Sequence, residues 1–297
     1  MTISAQMIKE LRDLTGAGVL DTKKALEATG GDMERAADLL REKGLARAAK
    51  RADREAKEGR IEARSQGGRT GLLVEVNCET DFVGRNEGFV ALSDLIATHL
   101  FHHAYQGQPL DEVLAKPAAG AGGRTPADQL QDMVSSTGEK MQVRRYVRYD
   151  LDERLGVIEV YLHPGNRVAV MLELTSVTLA ATESAPFALL AHDLALHIAA
   201  MSPRFRSRQD IPADHLEAET ARFRQGATAE GKPEKVVERI VEGRLRKYFE
   251  ETVLFEQPFV KDEEVTAGQL LQQQAAALGE AITLARFVRY ELGEDLD

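Results

Sequence analysis

The sequence predicts an α+β protein: two repeated subdomains, each an antiparallel sheet with helices on one face, preceded by a small helical module and interrupted by a helical hairpin in the second repeat. Three observations carry this reading. Apolar residues at helical spacing fill the first 45 positions, two long stretches of the remainder resemble each other, and the second stretch holds an excess segment that is amphipathic throughout.

The first module comes from Met7, Ile8, Leu11 and Leu14, which share a helical face ahead of the turn TGAG. Val19, Leu20, Ala25 and Leu26 repeat the spacing until Gly30-Gly31 ends the helix; Asp32 can cap a third, marked by Met33, Ala36, Ala37, Leu39 and Leu40. Residues 1–45 therefore form a three-helix module with a modest core. The basic run ARAAKRADREAKEGR that follows is broken by Asp53, Glu55 and Glu58 and has no aromatic on which a base could stack. It reads as a solvated helical linker over 46–58 rather than as an RNA-binding arm.

GRIEARSQGGRTGLLVEVN (59–77) resembles GVIEVYLHPGNRVAVMLEL (156–174), and each reads as a strand, a glycine-containing turn and a second strand. At an offset of 98, Glu75, Phe89, Leu92, Ala97 and His99 meet Glu173, Phe187, Leu190, Ala195 and His197. Further on, QLQDMVSSTGEKMQVRRYVRYDL (129–151) resembles QLLQQQAAALGEAITLARFVRYEL (269–292), helix then strand, at an offset of 141. The plan of each copy is hairpin, helix, helix, strand, giving core subdomains over 59–151 and 152–297. The excess of 43 residues lies between Met201 and about Thr266. Within it HLEAETARFRQG and PEKVVERIVEGRLRKYFEE, joined by the turn-rich GATAEGKP, predict a helical hairpin inserted over about 207–257.

Composition narrows the functional classes. A formal net charge of −10 argues against wholesale nucleic-acid binding, although residues 1–60 hold 13 Lys and Arg against 11 Asp and Glu. No apolar run approaches the roughly 20 residues of a membrane span. The N-terminus, MTISAQMIKELRDLTGAG, is broken by charges and lacks a secretory core, so the expected address is the cytoplasm. The lone Cys78, in LLVEVNC, excludes an internal disulfide and suits a buried strand.

Chemical motifs are weak. GATAEGKP nearly fits a phosphate loop, but Pro233 stands where a Mg²⁺-binding hydroxyl is needed and the preceding segment is helical rather than a strand. His99, His102 and His103 could place two imidazoles on one helical face for a metal, without a third ligand at clear spacing; ordinary core-edge histidines account for them more simply. No nucleophile elbow, zinc-protease or dinucleotide fingerprint occurs, so covalent catalysis is not expected, nor any cofactor or metal.

One stretch remains, VNCETDFVGRNEGF (76–89), which sets Phe82 on a turn between a strand and a helix. Residue type alone favours a core position for Phe82; the alternative is a probe meant for another protein. LRDLTGAGVLDTKKAL (11–26), EVNCETDFV (75–83), HIAAMSPRF (197–205), GKPEKVVERIVEGRLRKYF (231–249) and QPFV (257–260), in this order, resemble bacterial elongation factor Ts. The resemblance implies a guanine nucleotide exchange factor for the GTPase elongation factor Tu, one that displaces GDP so that GTP can load and binds tightest when the partner is nucleotide-free. It implies that the N-terminal UBA-like module docks on the GTPase domain, that the double core spans this domain and a β-barrel domain, and that the hairpin is the family's coiled coil. Thr80, Asp81, Phe82 and Val83 match the segment that dislocates Mg²⁺, with Phe82 inserting into the partner and Asp81 holding the loop or perturbing the metal's surroundings. Arg12, Val19 and Leu20 match positions facing the GTPase, although Val19 and Leu20 also suit the bundle core. His163, in the turn of the second hairpin, is a further candidate contact. The tail ELGEDLD soon after the last strand gives no expectation of contacts through the C-terminal extension of some relatives.

Overall fold

A computed structural model describes residues 3–49, 53–105, 107–120, 122–229 and 231–296. Helices α1 (Ala5–Thr15), α2 (Val19–Ala28) and α3 (Met33–Ala49) come first. The Ser4 hydroxyl accepts the Met7 N–H to start α1, and Gly16, at φ 66°, ends it in the left-handed region that favours glycine. Leu11, Ala25, Leu26, Ala36 and Leu40 close a small core, with Met7, Ile8 and Met33 packed against it. Of the linker expected over 46–58, α3 takes the beginning, residues 50–52 lie outside the described residues, and the first strand takes Glu58.

The first core copy comprises β1 (Glu58–Gln66), β2 (Thr70–Cys78), α4 (Asp81–Gly84), α5 (Glu87–His103), α6 (Leu110–Leu114), α7 (Pro126–Thr137) and β3 (Met141–Asp150). The second comprises β4 (Gly156–Leu162), β5 (Val168–Ser176), α8 (Leu179–Thr182), α9 (Ala185–Met201), the hairpin helices α10 (Ala213–Ala229) and α11 (Glu234–Thr252), β6 (Pro258–Phe259), β7 (Asp262–Thr266), α12 (Ala267–Leu278) and β8 (Ile282–Glu291). The sheets run β1-β2-β3 and β4-β5-β8, all pairs antiparallel. Their correspondence extends to irregularities: the register shifts after Glu75 in one and after Glu173 in the other. Thr125 and Thr266 cap α7 and α12 with the same reciprocal box, through Asp128 and Gln269.

Each sheet is covered on its outer face by its own helices and meets the other sheet on its inner face. Leu72, Val74, Val76 and Cys78 of β2 point outward to Phe89, Ile96 and Leu100 of α5, while Leu73 joins Ile61, Tyr149, Ile158, Met171 and Tyr290 between the sheets. This double coverage is why the central strand reads as a nearly continuous apolar run instead of alternating. Phe187 occupies in the second copy the place of Phe89 in the first, both fully buried. Burying each contributes about 1.5–3 kcal/mol.

The hairpin departs from expectation at its tip. Gly226 to Ala229 continue α10, so the connection to α11 is shorter than the turn-rich GATAEGKP suggests; Glu230 lies outside the described residues. Ala227, Val237 and Val241 pack near the tip, and Ile211, Tyr248, Phe249 and Val253 near the base. Backbone bonds from Arg204 and Phe205 to the Thr252 carbonyl tie that base to the core.

Candidate functional site

The site is built on the turn after β2. Thr80 caps α4, its hydroxyl oxygen accepting the Val83 N–H at 3.4 Å. The same hydroxyl donates to Glu139 Oε1 at 2.7 Å, and the Thr80 N–H donates to Glu139 Oε2 at 3.1 Å. From beneath, the Cys78 thiol donates to the Thr80 carbonyl at 3.1 Å. Burial, with the Glu139 and Glu58 carboxylates nearby, pushes that thiol up to about 12, so it stays protonated and donates.

Downstream the turn is equally fixed. Asp81 pairs with Arg85 at 3.1 Å, Val83 packs against the first core, and Gly84 lies so close to β1 that a Cβ there would come within 3.3 Å of Gly59. Phe82 alone points away and is 84% exposed. The residue-type expectation of a core phenylalanine is therefore overturned: the anchoring positions of this single turn are Thr80, Val83 and Gly84, and their spacing carries position 82 outward.

His163 lies on the β4–β5 turn, its Nδ1 hydrogen bonded to the Tyr161 hydroxyl at 2.8 Å. It lines a largely apolar pocket of about 430 Å³ with Val168, Leu196 and Val260. This turn is held to β1, the strand beneath the Phe82 turn: the Ile61 N–H donates to the Asn166 carbonyl at 2.8 Å, and Arg167 pairs with Glu58 at 2.8 Å. Two turns distant in sequence thus flank one strand.

Arg12, Val19 and Leu20 belong to the separate helical module. Val19 is 52% and Leu20 73% exposed, so neither serves the bundle core. Leu14 also leaves that core and lines a cleft of about 360 Å³ with Ala91 and Leu95 of α5 and Met133 of α7. The module rests on α7, where a Cβ on Gly16 would stand 2.9 Å from Ser136 Cβ. The same helix runs into Gly138 and Glu139, so one element touches the module and holds the Phe82 turn.

Within the histidine cluster His99 has a structural partner, while His102 and His103 are exposed. His99 is buried, its Nε2 donating to the Val113 carbonyl at 2.9 Å, and its ring lies 4.6 Å from that of His103. Among the described residues no group of three or more His, Cys, Asp or Glu side chains is placed to hold a metal ion. Among them, too, no helix is long and apolar enough to cross a membrane.

A family model described as Elongation factor TS matches residues 79–294. The chain belongs to the elongation factor Ts family. The matched segment begins at Glu79, one residue ahead of the Thr80 cap, and ends beyond β8. Relatives extend the similarity through the N-terminal module. Elongation factor Ts of Symbiobacterium thermophilum is 43% identical over 99% of this chain and 93% of its own length. That of Trichlorobacter lovleyi is 41% identical over 100% and 94%, and that of Prosthecochloris aestuarii 42% over 98% and 99%. Membership in the elongation factor Ts family makes this protein a translation elongation factor.

Proposed function

We propose that this protein binds elongation factor Tu in its GDP form and promotes release of GDP by disturbing the Mg²⁺ and phosphate site, after which GTP loads. It performs no covalent chemistry of its own and acts in the cytoplasm, without direct nucleic-acid or membrane binding. The observation that carries this reading is Phe82, an aromatic side chain 84% exposed on a turn anchored at Thr80, Val83 and Gly84. An exposed phenylalanine held by its backbone offers a large apolar contact with few rotamers left to immobilise, which suits a wedge.

GDP is held by Mg²⁺ together with positioned donors around its phosphates, so displacing the loops beneath them weakens both ligands at once. Thr80 and Val83 fix the turn, Phe82 inserts, and Asp81 holds the turn through Arg85 or perturbs the metal's surroundings. Arg12, Val19 and Leu20 form a second contact and His163 a third. Linkage adds a requirement: a protein that weakens GDP binding is itself bound less tightly when GDP is present, so the complex is tightest with nucleotide-free partner.

The test is release of fluorescent GDP from elongation factor Tu, chased with unlabelled nucleotide, in the presence of substoichiometric protein. The expected result is acceleration that Phe82→Ala reduces at least about tenfold while the variant stays folded, equivalent to about 1.4 kcal/mol of lost coupling. No acceleration by the unmodified protein would overturn the proposal.

A further inference from the structure

The turn that carries Phe82 has a twin. Thr178 caps α8 as Thr80 caps α4, and the Thr178 hydroxyl donates to Glu280 Oε1 at 2.9 Å as the Thr80 hydroxyl donates to Glu139. Both glutamates occupy the same place, the residue after a left-handed glycine that ends a helix: Gly138 at φ 76° and Gly279 at φ 67°. The first copy presents Phe82 on this clamped turn, and the second presents Ala180. Clamp and wedge are therefore separable features, because the clamp occurs without an aromatic.

A helix of four residues cannot hold its own geometry, since nucleation fixes several dihedrals for one hydrogen bond. The shape of α4 must come from outside it. Glu139 supplies a charged restraint of this kind, one carboxylate taking both the hydroxyl and the N–H of Thr80, and the hydroxyl in turn accepting from Val83 on the far side of Phe82. Beside it, the Lys140 N–H donates to Glu79 Oε1 at 2.6 Å and Glu79 pairs with Arg54 at 3.1 Å, so both residues before Asp81 are tied down.

We infer that Glu139 is a positioning residue for exchange, holding the Thr80–Val83 turn so that Phe82 meets the partner as a rigid wedge. The inference rests on the exchange function proposed above. Without Glu139 the turn samples many orientations, and only the fraction with Phe82 aimed correctly drives GDP out. The modules that provide the remaining contact area are untouched, so the loss falls on the rate at saturation rather than on the concentration needed to reach it.

The experiment measures fluorescent GDP release from elongation factor Tu across a range of full-length protein concentrations. Glu139→Ala is expected to lower the saturating rate about tenfold while moving the half-saturating concentration less than about threefold. Glu139→Gln, which still offers an acceptor to the Thr80 N–H and a donor to its hydroxyl, recovers most of the rate. Glu280→Ala makes the same structural cut in the twin turn and keeps the full rate. Phe82→Ala combined with Glu139→Ala is no slower than Phe82→Ala alone. Equal loss in Glu139→Ala and Glu280→Ala would overturn the inference, as would a full rate in Glu139→Ala beside a deficient Phe82→Ala. Thermal melting reports folding; if Glu139→Ala does not fold, Thr80→Val removes the hydroxyl partner instead, and a full rate in that variant overturns the inference equally. Failure of the unmodified protein to release GDP is a separate outcome that overturns the exchange function and this inference together.

Discussion

The guanidinium of Arg145 lies over the ring of Tyr290, 3.9 Å from its centroid. The repeat counterparts do the same in reverse, Arg286 over Tyr149 at 3.8 Å, so each copy contributes its arginine to the other's tyrosine. Each arginine also pairs with a fully buried glutamate of its own sheet at 2.7 Å, Arg145 with Glu75 and Arg286 with Glu173. Burial alone would raise the Glu75 carboxyl, but the Gly293 N–H, the Asn77 amide and Arg145 outweigh it and hold the group below its ordinary value.

Breaking this arrangement from one side is costly. Arg145→Ala removes one of the two arginines on a buried carboxylate, the other being Arg144 at 3.2 Å, together with the stacking partner of Tyr290, and is expected to destabilise the protein by about 2 kcal/mol in urea unfolding. Glu75→Gln combined with Arg145→Met removes the fully buried carboxylate together with one of its two cations, while Arg144 keeps the Glu294 carbonyl, and should lose clearly less than Arg145→Ala. A double variant as unstable as the single one would contradict this account.

Gly71 marks a close approach of the two sheets. A Cβ there would lie 2.6 Å from Met171 Sδ, 2.7 Å from Ile158 Cγ2 and 2.8 Å from Val160 Cγ2. Met171 can bend away, but Ile158 and Val160 are branched at Cβ and have little freedom to move. Gly71→Ala should therefore cost about 1–3 kcal/mol through overpacking, read as a lower urea midpoint at unchanged m-value.

The repeat was legible in the sequence because both copies keep the same buried faces: Glu75 and Glu173, Phe89 and Phe187, His99 and His197 occupy corresponding places. What the sequence does not display is what depends on distant partners. Nothing near Phe82 announces that Glu139 clamps its turn, because the clamp spans a separation of 59 residues. Leu14 fits the α1 stripe by spacing, yet a second surface, the face of α5 and α7, faces it across a cleft. The hairpin tip differs from what its sequence suggests because Gly226 favours a turn, whereas Ala227 to Ala229 continue the helix with Ala227 buried against Val237 and Val241.

The twin histidines predict a pH dependence of stability. His197 Nδ1 accepts the Val260 N–H at 3.2 Å and its Nε2 donates to Gln257 Oε1 at 3.1 Å, which fixes the neutral ring; a proton on Nδ1 would face another donor. Burial lowers both His99 and His197 below the ordinary 6.5. The folded protein then binds fewer protons than the unfolded chain just below pH 6.5, so the stability these rings confer is complete above that pH and is lost as pH falls toward their folded values. Urea unfolding between pH 7.5 and about 5 should show this decline, with a shallower slope in His197→Gln. An unchanged slope would mean that His197 does not titrate on unfolding.

On the proposed function, Leu20 and Phe82 should fail in different ways. Leu20 is 73% exposed on a separate module, so Leu20→Ala leaves folding stability within about 0.5 kcal/mol. Its contribution comes only on docking, where burying a leucine side chain is worth about 1.5–3 kcal/mol, part of which alanine retains. The half-saturating concentration for GDP release should therefore rise roughly tenfold while the saturating rate changes little. Phe82→Ala should show the opposite split. Because the two residues share no contact partner, their effects on overall exchange efficiency should add within about 0.5 kcal/mol in the double variant. A Leu20→Ala protein slowed at saturation as severely as Phe82→Ala would show that the helical module acts on the nucleotide site rather than anchoring the complex.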